Sequence, residues 1–393
     1  MKSDTLATHL GRDPEKNHGI VNPPVYHAST VLFPTVEKLK ETERRRLEPG
    51  HTHYGRMGTP TSFALEEAIT TLEGGHGAVT ASSGLGAICL ALTACLKSGD
   101  HALIADTAYH PTRTFCNEVL SKYGVKIDYY DPLIGAGIEE LIQGNTRVIF
   151  MESPGSLTFE VQDVPAITQA AKKHGITTMI DNTWATPLFF NPLDHGVDIS
   201  IHAATKYIVG HADAMLGIIV ANQRTYPTIR NNAVRFGQSA GPDDIYLGLR
   251  GLRTLPTRLR HHQDQGLRLA KWLQKRPEVI KVLHPGLEGD QGHTLWKRDF
   301  SGASGLFGVL LNDYTDTAVA AMLDGLKLFG MGYSWGGFES LILPVQPALS
   351  RSATDWSAQT PLLRIHVGLE SLQDLTADLE EGFNRLDDDK LKG

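Results

Sequence analysis

From about residue 60 to residue 250, short apolar runs alternate with amphipathic stretches. Ala78–Ala81, Ala102–Ala105, Val148–Met151 and Thr177–Ile180 read as strands. After the first of these, Ile88, Leu92 and Leu96 fall on one face of a helix that Ser98-Gly99 ends. Asp163 followed by Pro165 caps another helix, which stops at Gly175. Strands alternating with helices predict a mostly parallel sheet covered on both faces.

The flanks differ. Residues 1–56 are broken by Pro23-Pro24 and short of apolar periodicity, apart from a polar helix over Glu37–Arg46. Such an arm has no core of its own and is expected to lie on something else, a neighbouring subunit included. After about residue 250 a long helix is predicted from Pro256 to Gln274. Alternating segments follow at Gly305–Leu311 and Leu362–Val367. The expected organisation is an arm (1–56), an α/β domain (57–252) and a smaller α+β domain (253–393). No internal repeat or low-complexity segment interrupts it.

Composition changes this picture little. The chain is 41% hydrophobic and 21% charged, as soluble globular proteins are. Its net charge of −7 comes without blocks of like charge, which argues against nucleic acid as a partner. No stretch approaches the roughly 18 apolar residues of a membrane span, and the first residues lack the apolar core of a signal peptide. A cytoplasmic location is expected. Cys89, Cys95 and Cys116 have no metal-type spacing and read as reduced, structural thiols. His51/His53 and His261/His262 lack carboxylates at metal spacing, so no metal site is expected.

Candidate chemistry begins with Lys206, in the apolar, strand-like run Ile201–His211, one residue after the hydroxyl of Thr205. An apolar setting lowers a lysine's pKa and frees its amine to condense with a carbonyl. Asp181 ends the apolar run that starts at Ile176. It either caps Asn182-Thr183 or faces a ligand at the carboxyl end of its strand. A lysine that forms a Schiff base and an aspartate that pairs with a pyridinium nitrogen are what a pyridoxal 5'-phosphate (PLP) site needs most. The turn Ser82-Ser83-Gly84-Leu85-Gly86, between strand and helix, suits either a phosphate or tight packing.

Period-two alternation places Arg364 and His366 on one face of a strand and Leu363, Ile365 and Val367 on the other. Arg364 there serves either to grip a carboxylate or to form a structural ion pair. Tyr109, after a strand, belongs to the core unless a planar cofactor lies beside it. Tyr54-Gly55-Arg56 closes the arm.

In this order and spacing, the chain resembles, over nearly its whole length, the Cys/Met-metabolism family of PLP-dependent enzymes. Tyr54-Gly-Arg56, Ser82-Ser83-Gly84, Asp181-Asn-Thr183 and Thr205-Lys206-Tyr207 with Gly210-His211 are similar to its motifs. The loop Tyr333-Ser334-Trp335-Gly-Gly-Phe-Glu-Ser-Leu341 is similar to that of members acting at the β-carbon. Ser153-Pro-Gly-Ser-Leu157, in place of the family's usual Thr-Pro-Thr-Asn-Pro, points the same way. One departure is Ala203, where many members carry a hydroxyl that touches the phosphate; Thr205 is then expected to carry more of that role.

The resemblance implies the aspartate-aminotransferase type of fold and a homotetramer of two active-site dimers. It implies that Lys206 holds PLP and acts as base, Asp181 faces the pyridine nitrogen and Tyr109 stacks on the ring. Ser83, Gly84, Leu85 and Thr205 would hold the phosphate, with Tyr54 and Arg56 reaching in from the adjacent subunit. Ser334, Arg364 and Tyr54 would meet the substrate, and Trp335 would line its pocket. The implied reaction is β-elimination of L-cystathionine, in methionine biosynthesis, to homocysteine, pyruvate and ammonia, with cystine and related S-substituted cysteines as further substrates. Alternatives are the family's γ-synthase, γ-lyase and cysteine desulfhydrase activities, or a PLP-binding regulatory protein on the same scaffold.

Overall fold

The structure, a computed structural model, describes residues 1–356 and 360–388. The larger sheet contains β1 (Gly77–Ala81), β2 (His101–Ala105), β3 (Lys126–Tyr130), β4 (Thr146–Glu152), β5 (Thr177–Asp181), β6 (Ile199–Ala203) and β7 (Gly217–Ala221). Their order is β1-β7-β6-β5-β4-β2-β3. Only the pairings made by β7 are antiparallel. The smaller sheet contains β8 (Val279–Leu283), β9 (Leu306–Leu311), β10 (Leu341–Val345) and β11 (Leu362–His366), all antiparallel, in the order β10-β11-β9-β8.

Strand residues explain why the larger sheet is covered on both sides. Leu103, Ile149 and Ile180 join one buried cluster, with Ile167 and Ala170 of the helix Val164–Lys173. Their neighbours Ile104, Phe150 and Met179 join another, with Ile88 and Leu92 of the helix Gly84–Cys95. Alternate side chains thus enter opposite cores, and each large one stabilises by about 1.5–3 kcal/mol on burial. Asp163 caps its helix as predicted, accepting from the Ala166 N–H.

Two elements differ from the sequence reading. The long helix runs from Pro242 to Leu273, with Pro256 inside it rather than at its start. Pro242 sits in the first turn, followed by Asp243 and Asp244, which suit the helix's positive end. Proline at 256 leaves the Leu252 carbonyl without its helical donor; the helix continues because Leu249, Leu252, Leu255 and Leu259 pack on the core on both sides of it. The helix crosses the expected boundary at 252/253. Its Leu249, Leu252 and Leu255 pack on the first sheet's core, and its Leu269 and Leu273 on the second's.

The run around Lys206 is not a strand beyond Ala203. The Thr205 hydroxyl accepts the Leu216 N–H at 2.9 Å, and the chain turns, with the Gly210 N–H donating to the Lys206 carbonyl. That turn lifts Lys206 off the end of β6. In the arm, no residue of the helix Val36–Arg44 is buried, and Leu32 is 88% exposed.

A buried carboxylate joins the two domains. Asp106, just after β2, accepts from Arg113 at 2.9 Å and from the N–H groups of Ser352, Ala353 and Thr354. Burial raises its pKa, but the Thr354 hydroxyl, these N–H groups and Arg113 more than offset that, so it lies below the ordinary 3.8. A lowered carboxyl pKa contributes stability above the unfolded-state value and loses it as pH falls through the folded-state value. Asp106→Ala, which leaves Arg113 buried without its partner, should cost roughly 3–5 kcal/mol in urea unfolding. The gap to the parent protein should close only in acid below pH 3.8; a gap unchanged there would show that the carboxylate's charge is not what stabilises.

Candidate active site

Four neighbouring strands deliver side chains to one end of the large sheet. Tyr109 follows β2, Glu152 is the last residue of β4, Asp181 the last of β5, and Lys206 lies on the turn after β6. Glu152 and Asp181 are direct partners in the β4–β5 register. These are the carboxyl ends of parallel strands, where open α/β sheets bind ligands. The smaller domain adds Arg364 from β11 and the loop carrying Ser334 and Trp335.

The Lys206 amine donates to the Ser334 hydroxyl at 2.5 Å and lies 5.5 Å from the centre of the Trp335 ring. Burial lowers its pKa to about 8; Arg364 pushes the same way and Asp181 opposes. Arg364 donates to the Ser334 carbonyl at 3.0 Å. Among the described residues it forms no ion pair with a carboxylate, so the structural ion pair left open by its sequence position is not what holds it. Its cationic fork stays available for an anion.

Asp181 Oδ1 accepts the Thr183 N–H at 2.9 Å and the Thr183 hydroxyl, while Oδ2 takes no hydrogen bond among the described residues. Burial raises its pKa; Thr183, His202 and Lys206 act against that. Glu152 is pushed well above the usual carboxylate range, first by burial and then by Asp181. It accepts the Tyr109 N–H at 2.7 Å. Tyr109 is 45% exposed, so it is not the core residue its segment alone predicts. It stands at the start of a helix, His110–Phe115, rather than inside one.

The turn after β1 is built for close approach. Ser83 caps the helix Gly84–Cys95 by accepting the Gly86 N–H at 3.0 Å. The N–H groups of Gly84 and Leu85 have no protein acceptor among the described residues. A Cβ on Gly84 would meet the Ala203 Cβ at 2.4 Å, so helix and β6 touch there. The Thr205 hydroxyl is already engaged by both backbone groups of Leu216; meeting a phosphate would replace its long 3.3 Å bond to the Leu216 carbonyl.

Tyr54 and Arg56 stand elsewhere in the protomer. The Arg56 guanidinium donates to the Val234 carbonyl at 2.8 Å and lies 5.9 Å from the Tyr54 ring centre. No hydrogen bond among the described residues joins either to Lys206, Asp181 or Ser83. Among the described residues no group of three or more His, Cys, Asp or Glu is placed to hold a metal. His262, of the adjacent pair without metal spacing, is fully buried and bonded to the Val367 carbonyl. Burial pushes the Cys89 and Cys95 thiols up to about 11 and the Cys116 thiol to about 12, as inert structural thiols require. No described helix is long and apolar enough to cross a membrane.

Sequence reasoning passed over Glu152 and the buried Glu73–His202 pair behind Asp181; Thr183 it named only as part of the segment that Asp181 caps, which its N–H to Asp181 bears out. Glu152 carried a usable signal, since it ends an apolar run as Asp181 does. Glu73 and His202 are far apart in sequence, and nothing local to either betrays the pairing.

The residues present fit PLP. Asp181 keeps one oxygen free for a ring N–H, Tyr109 offers a bare face, and Gly84 and Leu85 present unpaired N–H groups to an anion. Comparisons agree. The sequence profile described as Cys/Met metabolism PLP-dependent enzyme matches residues 4–384. A putative cystathionine beta-lyase of Rhizobium johnstonii is 48% identical, covering 97% of this chain and 95% of that one. The cystathionine beta-lyase MetC of Escherichia coli is 46% identical, covering 98% and 99%. In structure, the cystathionine gamma synthase of Xanthomonas oryzae pv. oryzae, in complex with aminoacrylate and cysteine, superposes with a TM-score of 0.89. It is 33% identical and covers 99% of each chain.

The desolvated amine makes a direct prediction. Reductive methylation of the cofactor-free protein across pH should give Lys206 a midpoint near 8, against 10.5 for an ordinary lysine. Because its pKa is lowered, Lys206 should react at pH values where other lysines stay protonated. A midpoint among the exposed lysines would show that the amine is not held dry.

Proposed function

The chain belongs to the Cys/Met metabolism PLP-dependent enzyme family, and we propose that it cleaves L-cystathionine by β-elimination to homocysteine, pyruvate and ammonia, a step of methionine biosynthesis. Cystine and related S-substituted cysteines fit the same reading. The observation that carries it is the desolvated Lys206 amine, bonded to Ser334, under the opposed fields of Arg364 and Asp181 and 5.5 Å from the Trp335 ring. The relatives named as cystathionine beta-lyases support the choice of substrate.

PLP, when bound, supplies an electron sink that makes the substrate's α-proton acidic. Lys206 would hold it, with Asp181 at the pyridine nitrogen and Tyr109 against the ring. Ser83, Gly84, Leu85 and Thr205 would hold the phosphate. Arg364 and Ser334 bind the substrate carboxylate, with Tyr54 closing the site from a neighbouring subunit. The Lys206 Nζ then takes the α-proton. With a pKa of about 8, a useful fraction of the amine is unprotonated near neutral pH, as a general base requires. Burial, then Glu152 and Asp181, raise the Tyr109 pKa, so its phenol keeps its proton. Trp335 fills the space beside the amine. Its bulk hinders a second deprotonation, at the β-carbon, which γ-elimination needs.

The proposed assembly is a homotetramer of two active-site dimers. The exposed helix of the arm, with Tyr54 and Arg56 making no hydrogen bond to their own Lys206 cluster, supports a role at the neighbour's phosphate.

Product analysis tests the reaction. The purified protein with L-cystathionine should release pyruvate and homocysteine, with little 2-oxobutyrate. Finding 2-oxobutyrate and cysteine as main products would replace β- by γ-elimination, and PLP binding without turnover would favour a regulatory role.

Subunit mixing tests the arm. Arg56→Ala and Lys206→Ala proteins, each inactive alone, should regain part of the activity once hybrids form. Verified hybrids with no recovery would place Arg56 in its own subunit's site.

A further inference from the structure

The polar face of β11 carries two side chains toward the loop above Lys206. Arg364 holds the Ser334 carbonyl at 3.0 Å. Two residues further, His366 Nε2 accepts the Gly336 N–H at 3.1 Å. Nε2 also lies 3.3 Å from the Gly337 carbonyl oxygen; the shorter contact, with the Gly336 N–H, assigns the lone pair to Nε2 and the ring proton to Nδ1, 3.5 Å from the Tyr207 hydroxyl oxygen. Between these two anchors the backbone adopts a conformation that residues other than glycine rarely take. Ser334 has φ +83° and Gly336 φ +85°. A Cβ on Gly336 would come within 2.9 Å of the Lys206 backbone, so the turn is pressed against the residue it serves.

The His366 ring is itself fixed. It is 1% exposed and lies 5.3 Å from His262 and 5.8 Å from Tyr207, centre to centre. Tyr207 in turn packs 5.4 Å from Trp335. Burial, with His262, Arg364 and Lys206 nearby, pushes the His366 pKa well below 6.5, against the pull of the Gly337 carbonyl. The ring is therefore neutral and keeps its acceptor.

We infer that His366 is a positioning residue that sets substrate specificity: by accepting the Gly336 N–H it locks the Ser334–Trp335–Gly336 turn, and with it the indole wall beside the Lys206 amine. It touches neither cofactor nor substrate. Arg364 alone fixes only the start of the turn; without the second anchor Ser334 can leave its strained conformation and Trp335 can swing. The inference rests on the reading of this site as the place where an S-substituted amino acid is bound and cleaved.

The test compares variants of the full-length, PLP-loaded protein on whichever S-substituted amino acid the wild type cleaves. His366→Leu leaves the Gly336 N–H without an acceptor. Its KM should rise about tenfold, with kcat changed much less, and the share of the minor keto-acid product should grow. Glutamine carries its oxygen as many bonds from Cβ as Nε2 lies in histidine, so His366→Gln should restore KM to near the wild-type value. The visible band of bound PLP should be unchanged in both. Should His366→Leu not fold, His366→Asn, whose amide falls short of Gly336, carries the same expectation. An unchanged KM and product ratio in His366→Leu or His366→Asn would overturn the inference. So would a His366→Gln protein that folds, binds PLP and is as impaired as His366→Leu. A wild type that makes 2-oxobutyrate would overturn the β-elimination reading alone, because the comparison among variants stands on any substrate.

Discussion

An ordinary lysine amine gives up its proton near pH 10.5; the Lys206 amine, buried and bonded to a hydroxyl, gives it up near 8. That difference depends on what is kept away from it. A carboxylate at salt-bridge distance would hold the proton and remove the nucleophile. The partner chosen instead is Ser334, from the smaller domain, and the charge that acts on the amine most strongly is Arg364, from the same domain. The amine itself stands on the larger domain. Its state therefore depends on how the two sheets are held together. The helix Pro242–Leu273, packed on both cores, and the Asp106 cluster, which grips Ser352 to Thr354, supply that rigidity.

The same end of the sheet solves a second electrostatic problem. Glu152 and Asp181 end adjacent strands, and two buried carboxylates side by side resist ionising together. Their surroundings differ. Asp181 receives two bonds from Thr183 and feels His202 and Lys206, all of which favour its anion. Glu152 receives a single backbone N–H and feels Asp181. Negative charge is thus favoured on Asp181, the carboxylate with a free oxygen, over Glu152, which fixes the backbone of Tyr109. Thr183 ties this to the lysine: its hydroxyl also accepts the Ala203 N–H at 2.8 Å, at the end of the strand from which the Lys206 turn departs.

Much of this was legible where a polar residue interrupts an apolar pattern. Lys206 and Asp181 stand out because an isolated charge in a hydrophobic run needs a reason, and Arg364 because period two puts it on the face opposite Leu363 and Ile365. The alternation of strands and helices announced the larger sheet for a related reason: all its strands but β3 are largely buried on both faces, so most of their runs are apolar. Pro256 misled, because the rule that proline starts or stops a helix ignores packing: Leu249, Leu252, Leu255 and Leu259 hold the helix on the core on both sides of the proline. Ser334 and Trp335 lie in a loop with no periodicity, so only the family resemblance singled them out. Glu73 and His202 pair across the fold, and pairing of that kind is invisible to any window of sequence.

The fold itself does not choose between β- and γ-chemistry. A γ-synthase of Xanthomonas oryzae superposes on the chain with a TM-score of 0.89, so any difference in reaction must lie in a few side chains near the amine. The turn at Ser334–Gly336 is where such a difference is least costly to build. It belongs to neither sheet, so changing it disturbs no ladder, yet it rests against Lys206 and is held by alternate residues of β11. A strand that presents its apolar residues to one core and its polar residues to a loop can keep the first constant while the second varies. Leu363 and Ile365 sit in the domain's core, whereas Arg364 and His366 bond to the loop that rests against Lys206. Period two thus separates stability from specificity within five residues of one strand, Leu362–His366.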